Sequence, residues 1–447
     1  MKFPRFALVA LVIAAPGLFT ASGPIDPALQ PNILVVLADD FGWGDVAVQG
    51  GKFPTPALDQ MAREGTRFTQ FYVASPICSP SRAGIITGQN PSRWKINSYL
   101  QTRKGNAACD QADFLDPAAP SLPKALKEQG YATAHIGKWH LGGGRDVKNA
   151  PKFAAYGYDM GLGTWESPEP HPDLTAGNWI WSPEDKVKRW QRSGWMVDRT
   201  LDFMAAHRDQ PVFVNLWFDD THTPWVPEEA SDPKVESPKQ FRAVLTEMDK
   251  QIGRLLEMLR KSDAKRPTLV VFFGDNGALP TFKQDRVGGL RGSKLSLYEG
   301  GVRVPCIVWQ PGKVPAGKVD ETNVLSSLDW FPTFTALAGG KTAAKNPDGQ
   351  DVSAALSGTG NIERKTPLFW EYGRNPDSFG YPKGENRSPN LAIRDGNWKL
   401  LIQADGTGAE LYDLSTDIRE THNLAVEKPE IAKRLSEALL AWRRVQP

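Results

Sequence analysis

The chain alternates short, largely apolar runs with longer stretches whose apolar residues recur every three or four positions. The runs cover 33–37, 131–136, 212–218 and 269–273, with 307–309 a weaker fifth. Continuous rather than alternating hydrophobicity predicts strands buried on both faces, the mark of a parallel sheet covered by helices. Between the runs lie helical patterns. Thr55 is placed to cap a helix with Pro56 in its first turn, Leu58, Met61 and Ala62 on one face and Gly65 at its end. Over 241–261 the residues Leu245, Met248, Ile252, Leu255, Leu256 and Leu259 form a second apolar stripe. Strands alternating with helices predict an α/β sheet with helices on both faces.

Each run leads into polar residues. Run 33–37 is followed by Asp39-Asp40, run 131–136 by Gly137-Lys138-Trp139-His140, run 212–218 by Asp219-Asp220-Thr221-His222, and run 269–273 by Gly274-Asp275-Asn276-Gly277. In an open α/β sheet the ligand crevice lies beyond the carboxyl ends of the strands, so these clusters should meet at one edge. Asp39, Asp40, Asp275 and Asn276 offer hard oxygen ligands, a set suited to Ca²⁺ or Mg²⁺ and poorly to zinc. Lys138, His140, His222 and the later Lys294 are donors for an oxyanion. A divalent cation among such donors points to a sulfate or phosphate group. In Cys78-Ser79-Pro80-Ser81-Arg82, Ser79 is read as N-cap and Pro80 as first helical residue, with Gly88 as the stop. Cys78 then lies at the positive helix end, with Arg82 one turn away on the same face.

Composition narrows the class further. The 447 residues hold 53 Lys and Arg against 51 Asp and Glu, too balanced for an electrostatic nucleic-acid binder. Lys2 and Arg5 precede an apolar stretch over 6–19 and the small residues Ala21, Ser22 and Gly23. This is the layout of a secretory leader over 1–23, too short to span a bilayer, so export to the periplasm or medium is expected, without stable membrane insertion. Three cysteines, Cys78, Cys109 and Cys306, make no disulfide framework; Cys306 reads as a buried thiol and Cys109 has no readable partner. His135, inside a strand, reads as a core histidine.

Cys78-Ser79-Pro80-Ser81-Arg82 with Thr87-Gly88 resembles the signature of the type I sulfatases, within the alkaline phosphatase superfamily. The resemblance extends in order to Asp39-Asp40, to Gly137-Lys138-Trp139-His140-Leu141-Gly142, to Asp275-Asn276-Gly277, to Leu290-Arg291-Gly292-Ser293-Lys294 and on to Pro305. It then reaches Ala392 to Leu400 and Glu410-Leu411-Tyr412-Asp413-Leu414. It implies a mixed, mostly parallel sheet sandwiched by helices over 28–360, and a smaller C-terminal α+β subdomain over 361–447. That subdomain should have antiparallel strands near 391–402 and a closing helix over 431–444, with Ile431, Leu435 and Leu439 inward.

The resemblance also implies chemistry. A formylglycine-generating enzyme would oxidise Cys78 to formylglycine, whose hydrate attacks sulfur and displaces the alcohol. A serine sulfate would be a stable dead end, whereas the second hydroxyl of a geminal diol can collapse and expel sulfate. Asp39, Asp40, the modified Cys78, Asp275 and Asn276 would hold one Ca²⁺, with Mg²⁺ the other cation the set accepts. Arg82 would stabilise the ionised diol, and Lys138, His222 and Lys294 would bind sulfate. His222 or Lys294 would protonate the leaving alcohol, and His140 would serve as base in the second step. Trp165, Glu166 and His171, in a Pro- and Gly-rich stretch, are candidate contacts to the sugar beside the sulfate. The expected activity is sulfate-ester hydrolysis on a sulfated saccharide. Two alternatives stand beside it: a phosphonate monoester or phosphodiester hydrolase of the same superfamily, and an inactive sulfated-glycan-binding protein.

Overall fold

The computed structural model describes residues 30–177, 179–228, 236–262, 266–340 and 346–447; the proposed leader over 1–23 lies outside them. Fourteen strands fall into three sheets among these residues. The large sheet has the order β5-β4-β6-β1-β7-β8-β2-β9. Here β1 is Asn32–Ala38, β2 Thr66–Phe68, β4 Ala132–Gly137, β5 Met160–Gly163, β6 Val212–Phe218, β7 Thr268–Gly274, β8 Cys306–Trp309 and β9 Lys318–Asp320. β3, Phe71–Tyr72, pairs with β10, Leu325–Ser326.

The four apolar runs became β1, β4, β6 and β7, which lie side by side and parallel. Successive residues point to opposite faces. Ile33, Val35 and Leu37 pack with Ile85, Leu126 and Trp330 on one side. Leu34 and Val36 pack with Met61, Met196 and Met248 on the other. Both faces are covered, which is why these strands carry no polar alternation.

The fifth run departs from expectation: β8 is antiparallel to β7, pairing Cys306 with Phe273. A parallel strand needs a crossover that returns the chain to the starting edge of the sheet. Instead the chain after β7 stays at the carboxyl edge through Lys294 and Arg303, so β8 must run back from that edge.

The predicted helices form, with two changes at their starts. In the helix Pro56–Glu64 the Thr55 hydroxyl does not cap; it accepts the Ala47 amide instead. The cap comes from another element: Asp249, in the helix Pro238–Lys261, accepts the Ala57 and Leu58 amides at 2.9 Å each. Asp249→Ala should therefore cost about 1–2 kcal/mol, the usual worth of an N-cap. A lowered urea midpoint with an unchanged slope would show it; an unchanged midpoint would refute it. The second change lies at Cys78. The helix Cys78–Thr87 begins at that cysteine, with Ile77 as N-cap and Gly88, at φ 63°, closing it. Ser79 is not the cap, because its hydroxyl accepts the Leu100 amide at 2.9 Å.

The third sheet is antiparallel, in the order β11-β12-β13-β14: Leu368–Glu371, Leu391–Asp395, Trp398–Ile402 and Glu410–Asp413. Its outer face, with Ile393, Leu400 and Leu411, packs on Leu435 and Leu439 of the helix Pro429–Arg444; Ile431 is only partly buried there. Its inner face, with Trp370, Ala392, Leu401 and Tyr412, packs into one cluster with Tyr72, Ile77, Cys78 and Val302. The small sheet therefore backs the residues around Cys78. Lys399 from β13 bonds the buried Glu299, in the short helix Glu299–Val302 before β8, at 2.8 Å and Glu420 at 2.9 Å, tying the small sheet to that helix by charge as well as by packing. Among the described residues no helix is long and apolar enough to cross a membrane. All three cysteines are free and buried.

Candidate active site

The ends of β1, β4, β6 and β7 are laced together by backbone bonds. The Asp39 amide donates to the Phe218 carbonyl at 3.2 Å, Asp275 to Ala38 at 3.1 Å, and Lys138 to Trp217 at 3.0 Å. The Thr221 hydroxyl donates to the Asp39 carbonyl at 2.5 Å. Asp40 turns out of β1 with φ 55°, and its amide donates to Asp275 Oδ1 at 2.9 Å. Gly277 is required after Asp275-Asn276, since any Cβ there would lie 1.9 Å from the Gly300 carbonyl oxygen.

Cys78 Sγ sits among these side chains. It lies 3.5 Å from Asp39 Oδ1, 3.9 Å from Asp40 Oδ1, 3.5 Å from Lys294 Nζ and 3.8 Å from Lys138 Nζ. Burial pushes its thiol well above the usual range, more than Lys138 and Lys294 pull it down. As a thiol it is a neutral, poor nucleophile near pH 7. Arg82, fully buried, is within electrostatic reach of the sulfur, but its hydrogen bonds go elsewhere. Its guanidinium makes a two-pronged contact to Asp275 Oδ2 at 2.9 and 2.8 Å and donates to the Lys138 carbonyl at 2.5 Å.

Lys138 Nζ lies 2.6 Å from Asp39 Oδ2, and Lys294 Nζ lies 2.6 Å from Asp40 Oδ1. Burial alone would raise Asp39, yet Lys138, His222 and Arg82 hold its carboxyl well below the ordinary value. Asp40 is lowered by Lys294 and His222 in the same way, against burial. Asp275 goes the other way: burial first, then Asp39, push it up to about 7 against the pull of Arg82. Three carboxylates thus crowd one buried site.

Two observations fit this set to a hard divalent cation. Ligand atoms of Asp39, Asp40, Cys78 and His222 lie within 4.8 Å of one another. Asn276 gives its amide N–H to Asp40 Oδ1 at 2.8 Å, and its Oδ1 is buried with no partner among the described residues. A buried carbonyl oxygen without a donor is costly unless a cation takes it. When all three carboxylates are ionised they balance Lys138, Lys294 and Arg82, so a divalent cation would leave a net positive site suited to an anion.

His222, half-buried, puts Nε2 3.7 Å from Asp40 Oδ2. His140 has φ 55° and is buried; its Nε2 lies 3.0 Å from the Leu100 carbonyl oxygen and 3.4 Å from Glu166 Oε1. Of the residues expected to flank the sugar, Glu166 is buried against His140 and Arg145, and Trp165 is buried beneath the Arg145 guanidinium. His171 packs on Trp195 with ring centroids 4.9 Å apart, and its Nδ1 accepts the Asp173 amide. No contact joins His171 to Glu166 among the described residues. His135 lies buried among Trp139, Phe153, Tyr158 and Trp217.

Sequence reasoning missed the residues that hold the third strand end. Asp219 is clamped by Arg189 and Arg192 of the segment leading into β6. Arg189 lies in the short 3-10 turn Arg189–Gln191 and Arg192 opens the helix Arg192–Ala206, and no local pattern in the sequence marks the pair.

The Sulfatase family profile matches residues 31–340, and the profile of the N-sulphoglucosamine sulphohydrolase C-terminal region matches 293–445. The chain belongs to the sulfatase family, and it is a sulfuric ester hydrolase with an alkaline-phosphatase-like fold. It is 28% identical to an N-acetylgalactosamine-6-O-sulfatase of Bacteroides thetaiotaomicron, over 92% of each chain. Arylsulfatase A of Homo sapiens is 30% identical, over 98% of this chain and 91% of that protein. Among solved structures, Ps i-CgsB in complex with k-i-k-neocarrahexaose superposes with a TM-score of 0.74 at 26% identity, covering 92% of each chain.

Proposed function

We propose that this chain releases inorganic sulfate from a sulfated saccharide, using Cys78 in its formylglycine form and one Ca²⁺. The observation that carries the reading is the position of Cys78 Sγ, within 4 Å of two carboxylates and two ammonium groups at the start of a helix. Formylglycine hydrate at that position would supply the attacking hydroxyl that the buried neutral thiol cannot. Asp39, Asp40, Asp275 and Asn276 would hold the Ca²⁺, which would add positive charge opposite the transferring sulfuryl oxygens. Lys138, Lys294 and His222 bind and orient the anionic head. His222 and Lys294, the more solvent-accessible of the donors, are placed to hand a proton to the departing sugar oxygen. Arg82 acts by holding Asp275 in place. In this reading 28–360 does the chemistry, 361–447 supports it from behind Cys78, and the leader over 1–23 exports the chain. Relatives whose names specify sulfated sugars support a saccharide substrate.

The test is sulfate release from a panel of saccharides carrying sulfate at defined ring positions. The chain would be co-expressed with a formylglycine-generating enzyme, with a phosphodiester alongside. Release from one ring and position supports the reading. Turnover of the phosphodiester alone would replace it with phosphodiester hydrolysis, and tight saccharide binding without turnover would replace it with a binding role.

A further inference from the structure

His140 and Glu166 sit on different loops, one after β4 and one after β5, yet they are joined twice. The His140 amide donates to the Glu166 carbonyl at 2.9 Å, and the side chains meet at 3.4 Å. The Gly142-Gly143-Gly144 run makes this fit. Gly143 has φ 92°, and a Cβ on it would lie 2.3 Å from the Ser167 carbonyl carbon, so only glycine lets the two loops close on one another. Arg145, just after the run, donates to the same carboxylate oxygen, Oε1, at 2.9 Å and stacks over Trp165. Glu166 Oε1 is therefore shared between the His140 ring and the Arg145 guanidinium. The residue is only 6% exposed, which leaves it little surface to offer a sugar.

The ring itself has one reading. Nε2 lies 3.0 Å from the Leu100 carbonyl, a group that can only accept, so Nε2 carries the proton. Nδ1 is then the bare nitrogen, and it is buried with no partner among the described residues. A buried lone pair left open, on a ring within electrostatic reach of Lys138, Arg82 and Asp39, can take a substrate-side proton. Burial drives the imidazole down to about 3, so it is neutral at physiological pH. Burial opposes but does not prevent ionisation of Glu166, which His140, Lys138 and Arg145 bring down to about 2. A fixed negative charge at the proton-bearing end of a neutral imidazole makes the far nitrogen more basic and stabilises the imidazolium once it forms.

We infer that Glu166 is a positioning residue for His140: with the Leu100 carbonyl it holds the Nε2–H tautomer and orients Nδ1 as the basic nitrogen of the site. It does not act as a sugar contact. The inference rests on the hydrolytic reading above. Because the Leu100 carbonyl alone keeps the tautomer, loss of the Glu166 charge should weaken His140 rather than silence it. A fall in kcat of about 10- to 100-fold is expected, within the range for a lost partner of a functional histidine.

The test is Glu166→Gln, which keeps the volume and removes the charge, measured alone and combined with His140→Ala. Sulfate release should show kcat down by about 10- to 100-fold with KM within about threefold. In the His140→Ala background Glu166→Gln should change nothing further, because a residue acting only through His140 has nothing left to act on. An independent readout is the nitrogen NMR spectrum of histidine-labelled protein, with the His140 signals assigned by their loss in His140→Ala. Wild type should show Nε2 protonated and Nδ1 bare, and Glu166→Gln should shift both signals. An unchanged kcat, a raised KM with kcat intact, full additivity with His140→Ala, or a proton on Nδ1 would each overturn the inference. Failure of the hydrolytic reading would instead appear as no sulfate release by wild type, and the NMR arm would still decide the positioning role.

Discussion

With Cys78 replaced by alanine, sulfate release should fall by at least about 1,000-fold while the fold survives. Removing a covalent nucleophile commonly costs more than this, leaving only what binding and charge contribute. The other members of the site stay in place because few of them depend on the sulfur. Arg82 is held by Asp275 and the Lys138 carbonyl, Lys138 by Asp39, and Lys294 by Asp40. The thermal midpoint should therefore move little, and saccharide binding by calorimetry should persist. Cys78→Ser sharpens the result. A serine hydroxyl lacks the second oxygen that would expel sulfate, so this variant should at most retain one sulfate per chain, visible by intact-mass measurement, without turnover. Wild type from a host with the maturing enzyme should label with a hydrazide at residue 78, and wild type from a host without it should not. Steady turnover by unlabelled wild type, or by Cys78→Ala, would rule out the formylglycine reading.

What was legible in the sequence followed from local rules. Residues 212–218 are apolar except for Asn215, which bonds the Tyr158 hydroxyl, because both faces of β6 are covered, and the strand has those bounds. The polar groups past each apolar run meet because parallel strands all end at one edge. What could not be read depended on residues far apart in the chain. Asp249 caps a helix that starts some 190 positions earlier, so the Thr55 signature looked sufficient although its hydroxyl serves Ala47. The reversed direction of β8 followed from a chain that never crosses the sheet after β7, which no periodicity records. Arg82 and Asp275 are almost 200 residues apart, and the helical spacing that drew Arg82 towards Cys78 says nothing of a carboxylate arriving from β7. The contact between Glu166 and His140 was hidden in the same way. A Pro- and Gly-rich segment looks like an open wall, yet the glycines of the facing loop let it close on His140.

Asp275 is where the electrostatic and structural demands of the site meet, so its removal carries the second large effect. In Asp275→Ala the Arg82 guanidinium, fully buried, loses its two-pronged partner and keeps the Lys138 carbonyl, a 3.4 Å approach to Asp39 and the Trp217 ring 5.1 Å away. Breaking a buried pair from one side costs about 3–5 kcal/mol, because the surviving charge is left uncompensated. The Asp40 amide loses its acceptor as well, which frees the turn that carries Asp40 out of β1. Asp275→Ala should therefore unfold at lower urea and release sulfate at least about 1,000-fold more slowly. Instability alone could explain that loss, so Asp275→Asn separates the causes. Its single carbonyl oxygen can accept either the Asp40 amide or the Arg82 guanidinium but not both, so it costs some stability too. It also removes one negative charge from the cation's donor set; its activity and Ca²⁺ response are therefore read where it is folded. Added Ca²⁺ should raise the thermal midpoint of wild type with rising concentration, as any ligand of the folded state must. The midpoint of Asp275→Asn should respond only at far higher Ca²⁺, and its activity should remain low even where it is fully folded. If Asp275→Asn instead keeps both the Ca²⁺ response and the activity, Asp275 holds Arg82 and nothing more, and the cation would have to be held by Asp39, Asp40 and Asn276.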